Sequence, residues 1–411
     1  MKPILLTGFF LIPLVAYPNF GFERSKVVFF IFFTSLLGLL WLIKFKIEWS
    51  VVKRAAAVFV LILLLTSLIG MDFQSSLLGR EPYFQGGLVY AYLWFFSVIV
   101  SSVDIKFSRW ALILSLSGLL VALTAINEWV SVNLFHQQIA TYSGRVVSTF
   151  GQPNFFAGFL LLTLPFAYFL FRSPDRRLQL IGWGSGLVAL IGIMVSFSRI
   201  SIILALLLLI LGLLDQLRIK LKLGFVLLII LTLGIFAAAK FSSGIVGDEM
   251  SEPFLNKNPD LTKKSVEKRA YIWPVAAQVV WQRPLLGYGL ENINSAFSDY
   301  FRKNKHALFE ENLKVSPVLI SLKELNIDRS HNYFLDLLLF SGIFGLLGWL
   351  WLVGVLFRNL RHAYRGRTRN VLIVALITYL VWVQFQNQSI VHLFYFWLLV
   401  GLIDIKRSDV A

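Results

Sequence analysis

Apolar positions along this chain come in long runs, with no alternation of the kind strands show. Stretches near 3–18, 27–43, 55–71, 87–102, 110–128, 153–171, 178–196, 200–214, 223–239, 333–357, 370–386 and 389–404 are long enough, or nearly so, to cross a bilayer as helices. Within hydrocarbon only helices and closed barrels satisfy their own backbone groups. The pattern therefore predicts an all-α, polytopic integral membrane protein of about 12 transmembrane helices. Connections between the runs are short except for one polar segment. Three regions follow: an N-terminal membrane region 1–240 of about nine spans, a large extracytoplasmic loop 241–331, and a C-terminal membrane region 332–411 of about three spans.

The long loop has structure of its own. It opens with a loose stretch, Gly244 to Lys264, rich in Gly, Ser, Pro, Asn and acid. A helical pattern follows from Val266 to Gln282, with Tyr271, Ile272, Val275, Val279 and Val280 near one face. Pro284 and the Gly287-Tyr288-Gly289 triplet end it.

Composition agrees with a membrane protein. Of 411 residues, 57% are hydrophobic and only 15% charged. The net charge of +16 would suggest nucleic acid in a soluble protein. Here the cations flank spans, so membrane lipids are the expected partner and nucleic acid is not. With the N-terminus inside, about twenty Lys and Arg fall on inner segments and about five on short outer loops. The five are Arg24, Lys26, Arg80, Arg145 and Arg199. The long loop then lies outside. Lys2 and the run to Tyr17 lack a small-residue cleavage pattern and read as a retained first span. There is no cysteine, which excludes disulfides, thiolate metal sites and a cysteine nucleophile.

Single arginines on the outer side are the first candidates for chemistry. Arg80 sits in Gly79-Arg80-Glu81-Pro82. Arg145 follows Ser143-Gly144 and precedes Phe150-Gly151-Gln152-Pro153-Asn154. Arg199 sits in Ser196-Phe197-Ser198-Arg199, between two spans with almost no loop. Arg269 stands four residues before Trp273, on one helix face. Guanidinium is well shaped to grip phosphate through two hydrogen bonds. A snorkelling anchor is the plainer reading of Arg80 and Arg145, and a solvated loop charge the plainer reading of Arg269. Arg199 has little room to reach water. Among the histidines, His136, His306 and His362 read as surface residues, and His392 as an intramembrane polar group with its needs met. His331 differs: with Asn332 it stands at the mouth of the run Tyr333 to Leu350, on the outer side. An imidazole there is a proton acceptor near neutral pH.

In this order the pieces resemble the bacterial O-antigen ligase and O-antigen polymerase superfamily. His331-Asn332 with Gly342 and Gly345 is similar to the ligase signature. Gly144-Arg145 to Pro153-Asn154 resembles the outer-loop element, and Ser196 to Arg199 the hairpin arginine. Arg269 to Trp273, with Pro284-Leu285-Leu286-Gly287-Tyr288-Gly289, resembles the large-loop motif. The resemblance implies a GT-C-like membrane glycosyltransferase in the bacterial inner membrane, with its active site facing the periplasm. The transfer would be inverting and metal-independent, with no cofactor. The donor would be a glycan on undecaprenyl diphosphate. The acceptor hydroxyl would belong to lipid A-core in a ligase, or to another glycan in a polymerase. The implied roles are His331 as base, or as a group positioning the acceptor, and Arg145, Arg199, Arg269 and Arg80 as diphosphate ligands. Asn332, Gln152, Asn154, Trp273 and Tyr288 would support substrate.

Two other classes compete. A polysaccharide-lipid transporter or flippase suits the span count, with Gln384, Gln386, Asn387 and Gln388 lining a path, but the two halves show no symmetry. A channel is suggested only by Gly287-Tyr288-Gly289, which no pair of pore helices brackets.

Overall fold

A computed structural model of the protein describes residues 1–43, 47–216, 272–303 and 327–405. Regular structure among them is helical. In order the helices are α1 (Lys2–Leu11), α2 (Phe22–Leu42), α3 (Val51–Leu68), α4 (Phe73–Leu78), α5 (Gly87–Ser102), α6 (Phe107–Asn133), α7 (Pro153–Phe171), α8 (Arg176–Val195) and α9 (Arg199–Gln216). Then come α10 (272–282), α11 (Ile293–Lys303), α12 (Tyr333–Ala363), α13 (Gly366–Trp382) and α14 (Ile390–Asp404). Seven of these described helices are long and apolar enough to cross a membrane: α2, α3, α6, α7, α8, α9 and α12. Helices α1, α5 and α14 are apolar but shorter. The run expected at 370–386 appears as α13. The run expected at 223–239, the loose stretch from Gly244 and Arg269 lie outside the described residues.

The chain packs as two compact units, Met1–Trp110 with Glu267–Ala411, and Ala111–Val266. In the first unit the hydrophobic centre is α14. Its sequence is apolar all round, and every one of its residues is buried. Phe394 stacks on Phe9 at 4.8 Å between ring centres and meets Phe30 and Phe96. The start of α14 is capped by its own side chains: the Ser389 hydroxyl and the His392 ring Nδ1 lie 2.8 Å apart, and Nδ1 accepts the Ser389 amide at 3.1 Å. His392 also stacks on Trp382. Glu23 of α2 accepts the Ile390 amide at 2.8 Å. Lys26, expected as an outer-loop charge, is fully buried in α2 and donates to the Val15 carbonyl at 2.7 Å.

Helix α12 is broken. Gly342 adopts φ 60°, ψ −159° inside it, a conformation that an L side chain avoids. The break frees backbone groups in a buried place, and they must find other partners. The segment after α10 supplies them. The Tyr288 amide donates to the Leu339 carbonyl and the Gly289 amide to the Phe340 carbonyl, both at 2.8 Å. The Ile343 amide donates to the Pro284 carbonyl at 2.8 Å. The fit excludes side chains on both sides. A Cβ at Gly342 would lie 2.2 Å from the Leu285 carbonyl oxygen, and one at Gly287 would lie 2.7 Å from that of Leu339. The piece of α12 beyond the break, 343–363, is about 30 Å long, the thickness of a hydrocarbon core.

In the second unit α7 packs along α8 and also meets α9. The Asp175 carboxylate caps α8 by accepting the Arg177 amide at 2.8 Å. The Tyr168 hydroxyl of α7 donates to Asp215 near the end of α9 at 2.5 Å.

Candidate functional site

The first unit carries His331. Four contacts fix the turn that holds it. The Ser330 amide donates to Asp336 Oδ1 at 2.8 Å, and the Ser330 carbonyl accepts the Trp273 indole N–H at 2.9 Å. On the other side, the Asn332 side-chain oxygen accepts the amides of Phe334 and Leu335, both at 3.1 Å, and so caps α12. The Tyr333 amide donates to the Val383 carbonyl at 3.2 Å. Between these anchors His331 sits at φ 60°, in the left-handed region, half-buried. A non-glycine residue held there signals a turn determined by its surroundings. Trp273 and Asn332, singled out in the sequence, are thus brought to His331. Tyr288 is buried, and its hydroxyl donates to the Val279 carbonyl at 2.8 Å. Helix α10 buries Ile272, Val275 and Val279, the face its periodicity predicts.

Arg80 is exposed in the same unit. Its carbonyl closes a turn by accepting the amides of Tyr83 and Phe84. Asp72 lies close enough to feel its charge. The Ser75 hydroxyl and amide bonds hold that carboxyl below its usual range, and Arg80 adds to the lowering.

The second unit holds Arg145 and Arg199. Tyr142 and Arg145 exchange both backbone hydrogen bonds, at 2.9 and 3.1 Å, around Ser143 and Gly144. Both central residues have positive φ, as a tight two-residue hairpin turn requires. The chain then dives inward. Val146, Val147, Ser148 and Phe150 are buried. Glu128 of α6 accepts the amides of Val147 at 3.0 Å and Ser148 at 2.8 Å. The Ser148 hydroxyl lies 2.6 Å from that of Thr124. Gly151 takes the left-handed conformation, Gln152 becomes the N-cap of α7, and Pro153 fills its first position. Gln152 Oε1 is buried with no hydrogen-bond partner among the described residues. Asn154 lies half-buried in the first turn of α7.

Arg199 begins α9. The Ser196 hydroxyl accepts the Ser198 amide at 3.0 Å and turns the chain, with Phe197 at positive φ. A cation at the positive end of a helix dipole is electrostatically unfavourable unless an anion joins it. Arg145 and Arg199 are also close enough to repel each other. Burial lowers the Arg145 pKa, Tyr142 acts in the opposite sense, and the charge of Arg199 lowers it further. A guanidinium remains charged despite this. Among the described residues neither arginine forms an ion pair with a carboxylate. Among its described residues the second unit therefore presents two guanidiniums without a carboxylate partner, one of them at a helix N-terminus, an arrangement suited to a multiply charged anion.

Several residues of this architecture carried no sign in the sequence. Glu128 reads as a polar residue near the end of a span. Glu291, Arg329 and Asp336 read as ordinary charges around the long loop and the next run. Their partners lie far along the chain, and local spacing cannot report them.

Residues 184–350 match the family model described as O-antigen ligase. That stretch contains Arg199, Arg269, Trp273, Tyr288, His331 and Asn332, while Arg80, Arg145, Gln152 and Asn154 precede it. No curated protein matches the chain.

Proposed function

We propose, on the support of the match of residues 184–350 to the family model described as O-antigen ligase, that the chain is a glycosyltransferase of the O-antigen ligase and polymerase superfamily acting on a lipid-diphosphate glycan. The donor is a glycan on undecaprenyl diphosphate. The acceptor is a hydroxyl of lipid A-core, and transfer takes place on the outer face of the bacterial inner membrane. The observation that carries the reading is a pair of arginines at helix-entry turns of one unit, Arg145 in the tight turn ahead of α7 and Arg199 at the start of α9, neither with a carboxylate partner among the described residues.

When the sugar–diphosphate bond breaks, negative charge builds on the leaving diphosphate. In this reading Arg145, Arg199 and Arg269 neutralise it, and Arg80 is a further diphosphate ligand. His331 removes the proton from the acceptor hydroxyl as the new glycosidic bond forms. The attack comes from the face opposite the leaving group, so the configuration inverts. Asn332 orients the histidine by fixing the helix it precedes, and Gln152 and Asn154 contact sugar or phosphate. With guanidiniums stabilising the leaving group, the transfer proceeds without a divalent ion.

Binding of undecaprenyl diphosphate to the purified protein in excess chelator tests this. Arg145→Ala and Arg199→Ala are each expected to weaken binding at least tenfold. Arg→Lys should recover little of it, since a point charge lacks the two-pronged geometry. Unchanged binding in both alanine variants, or binding that requires added magnesium, contradicts the proposal.

A further inference from the structure

Arg329 lies two residues before His331 and is 5% exposed. Its Nη2 is 2.6 Å from Glu291 Oε1, and that side chain is buried as well. The pair joins more than two segments. The same Glu291 oxygen accepts the Gln85 amide at 3.2 Å, and Gln85 Nε2 donates to the Gln388 carbonyl at 2.8 Å. Arg329 Nη1 donates to the Asp328 carbonyl at 3.1 Å. The guanidinium lies over the rings of Tyr83, at 4.5 Å, and Phe340, at 4.9 Å. Asn387 Nδ2 donates to the Tyr83 hydroxyl at 2.8 Å. Four connecting segments, around residues 83–85, 291, 328–330 and 387–388, therefore meet at one ion pair. Burial works against the charge of Arg329, but Glu291 and Asp336 outweigh it and hold its pKa above the usual arginine value.

A buried ion pair is a poor source of stability, because desolvation cancels most of its attraction. What it supplies is geometry. A guanidinium fixed by a carboxylate, a carbonyl and two ring faces has one place to be, and the backbone attached to it is fixed with it. That backbone leads directly into the left-handed turn at His331. Arg329 is the cation nearest His331 in sequence, yet it is neutralised and enclosed, so it is not available to grip a phosphate.

We propose that the Arg329–Glu291 pair is the positioning device for His331, holding the histidine turn against the neighbouring connecting segments so that the imidazole is in reacting geometry before the acceptor arrives. This rests on the reading of His331 as the base.

The test uses full-length protein in liposomes, with an undecaprenyl-diphosphate-linked glycan as donor. The donor is supplied alone and with lipid A-core oligosaccharide, so that polymerisation and ligation are both read. Four variants are compared: Arg329→Lys, Glu291→Gln, the double variant Arg329→Gln with Glu291→Gln, and His331→Ala. The double variant removes both charges of the pair together and keeps the comparison open if a single variant unfolds. Turnover should fall about ten- to hundredfold in the folded pair variants, with donor KM within about twofold of the parent. Arg329→Lys should not restore the parent rate, because an ammonium cannot make the same set of bonds. Parent-like turnover in the folded double variant overturns the proposal. A rise in donor KM that accounts for the whole loss also overturns it, since Arg329 would then be a donor ligand. If His331→Ala transfers normally, the reading of His331 as base fails and this inference falls with it. If His331→Ala is inactive while the pair variants are normal, only the positioning role is lost.

Discussion

Trp273 donates its indole N–H to the carbonyl of Ser330 at 2.9 Å, across 57 residues of sequence. The bond ties α10 to the backbone immediately before His331. Ser330 is fully buried, so removing the donor leaves a carbonyl without its hydrogen bond in a dry place. That costs about 1–3 kcal/mol. Trp273→Phe keeps an aromatic, though smaller, ring and deletes the N–H. It should lower turnover by roughly tenfold through loosening of the histidine turn, with donor binding unchanged. Steady-state kinetics on the folded variant check this, and an unchanged turnover would show that Trp273 serves only packing.

The break at Gly342 makes a stability prediction. Gly342→Ala places a methyl group 2.2 Å from the Leu285 carbonyl oxygen and forces alanine into positive φ. Gly287→Ala meets α12 from the other side, at 2.7 Å from the Leu339 carbonyl oxygen. Each should destabilise by several kcal/mol, on the scale of strain at a special backbone conformation combined with a buried clash. Thermal unfolding in detergent measures it. A midpoint for either variant within a degree of the parent would mean that 284–289 is not docked in the break.

The membrane-length runs were readable because hydrophobic periodicity is a local property. The runs at 153–171, 178–196 and 389–404 became α7, α8 and α14 with ends shifted by a few residues. Gly342 was visible as a glycine in an apolar run, but not as a break. Its conformation is possible only because the amides of Tyr288 and Gly289 stand in for lost helical partners. Arg329 was hidden for the same reason: its carboxylate partner is 38 residues away. Single arginines at Arg145 and Arg199 stood out by their rarity on the outer side. That they lie close enough to repel each other is a property of the fold of the second unit.

The orientation expected from the loop charges is open to direct labelling, since the chain has no cysteine. Ser298 is exposed on α11, and Ala363 is exposed at the end of α12. In intact cells an impermeant thiol reagent should modify Ser298→Cys and leave Ala363→Cys untouched until the membrane is opened. The reverse pattern would put the long loop and His331 inside and remove the basis for an outer-face enzyme.

In the proposed reaction the labour is divided: arginines hold the donor and His331 activates the acceptor. Donor binding and transfer, measured side by side on His331→Ala and Arg145→Ala, test it most directly. Arg145→Ala should lose affinity for undecaprenyl diphosphate and transfer together. His331→Ala should bind with parent-like affinity, unfold at the parent temperature, and transfer about two to four orders of magnitude more slowly. A folded His331→Ala variant that transfers at the parent rate, or one that loses donor affinity as fully as Arg145→Ala, would contradict the account.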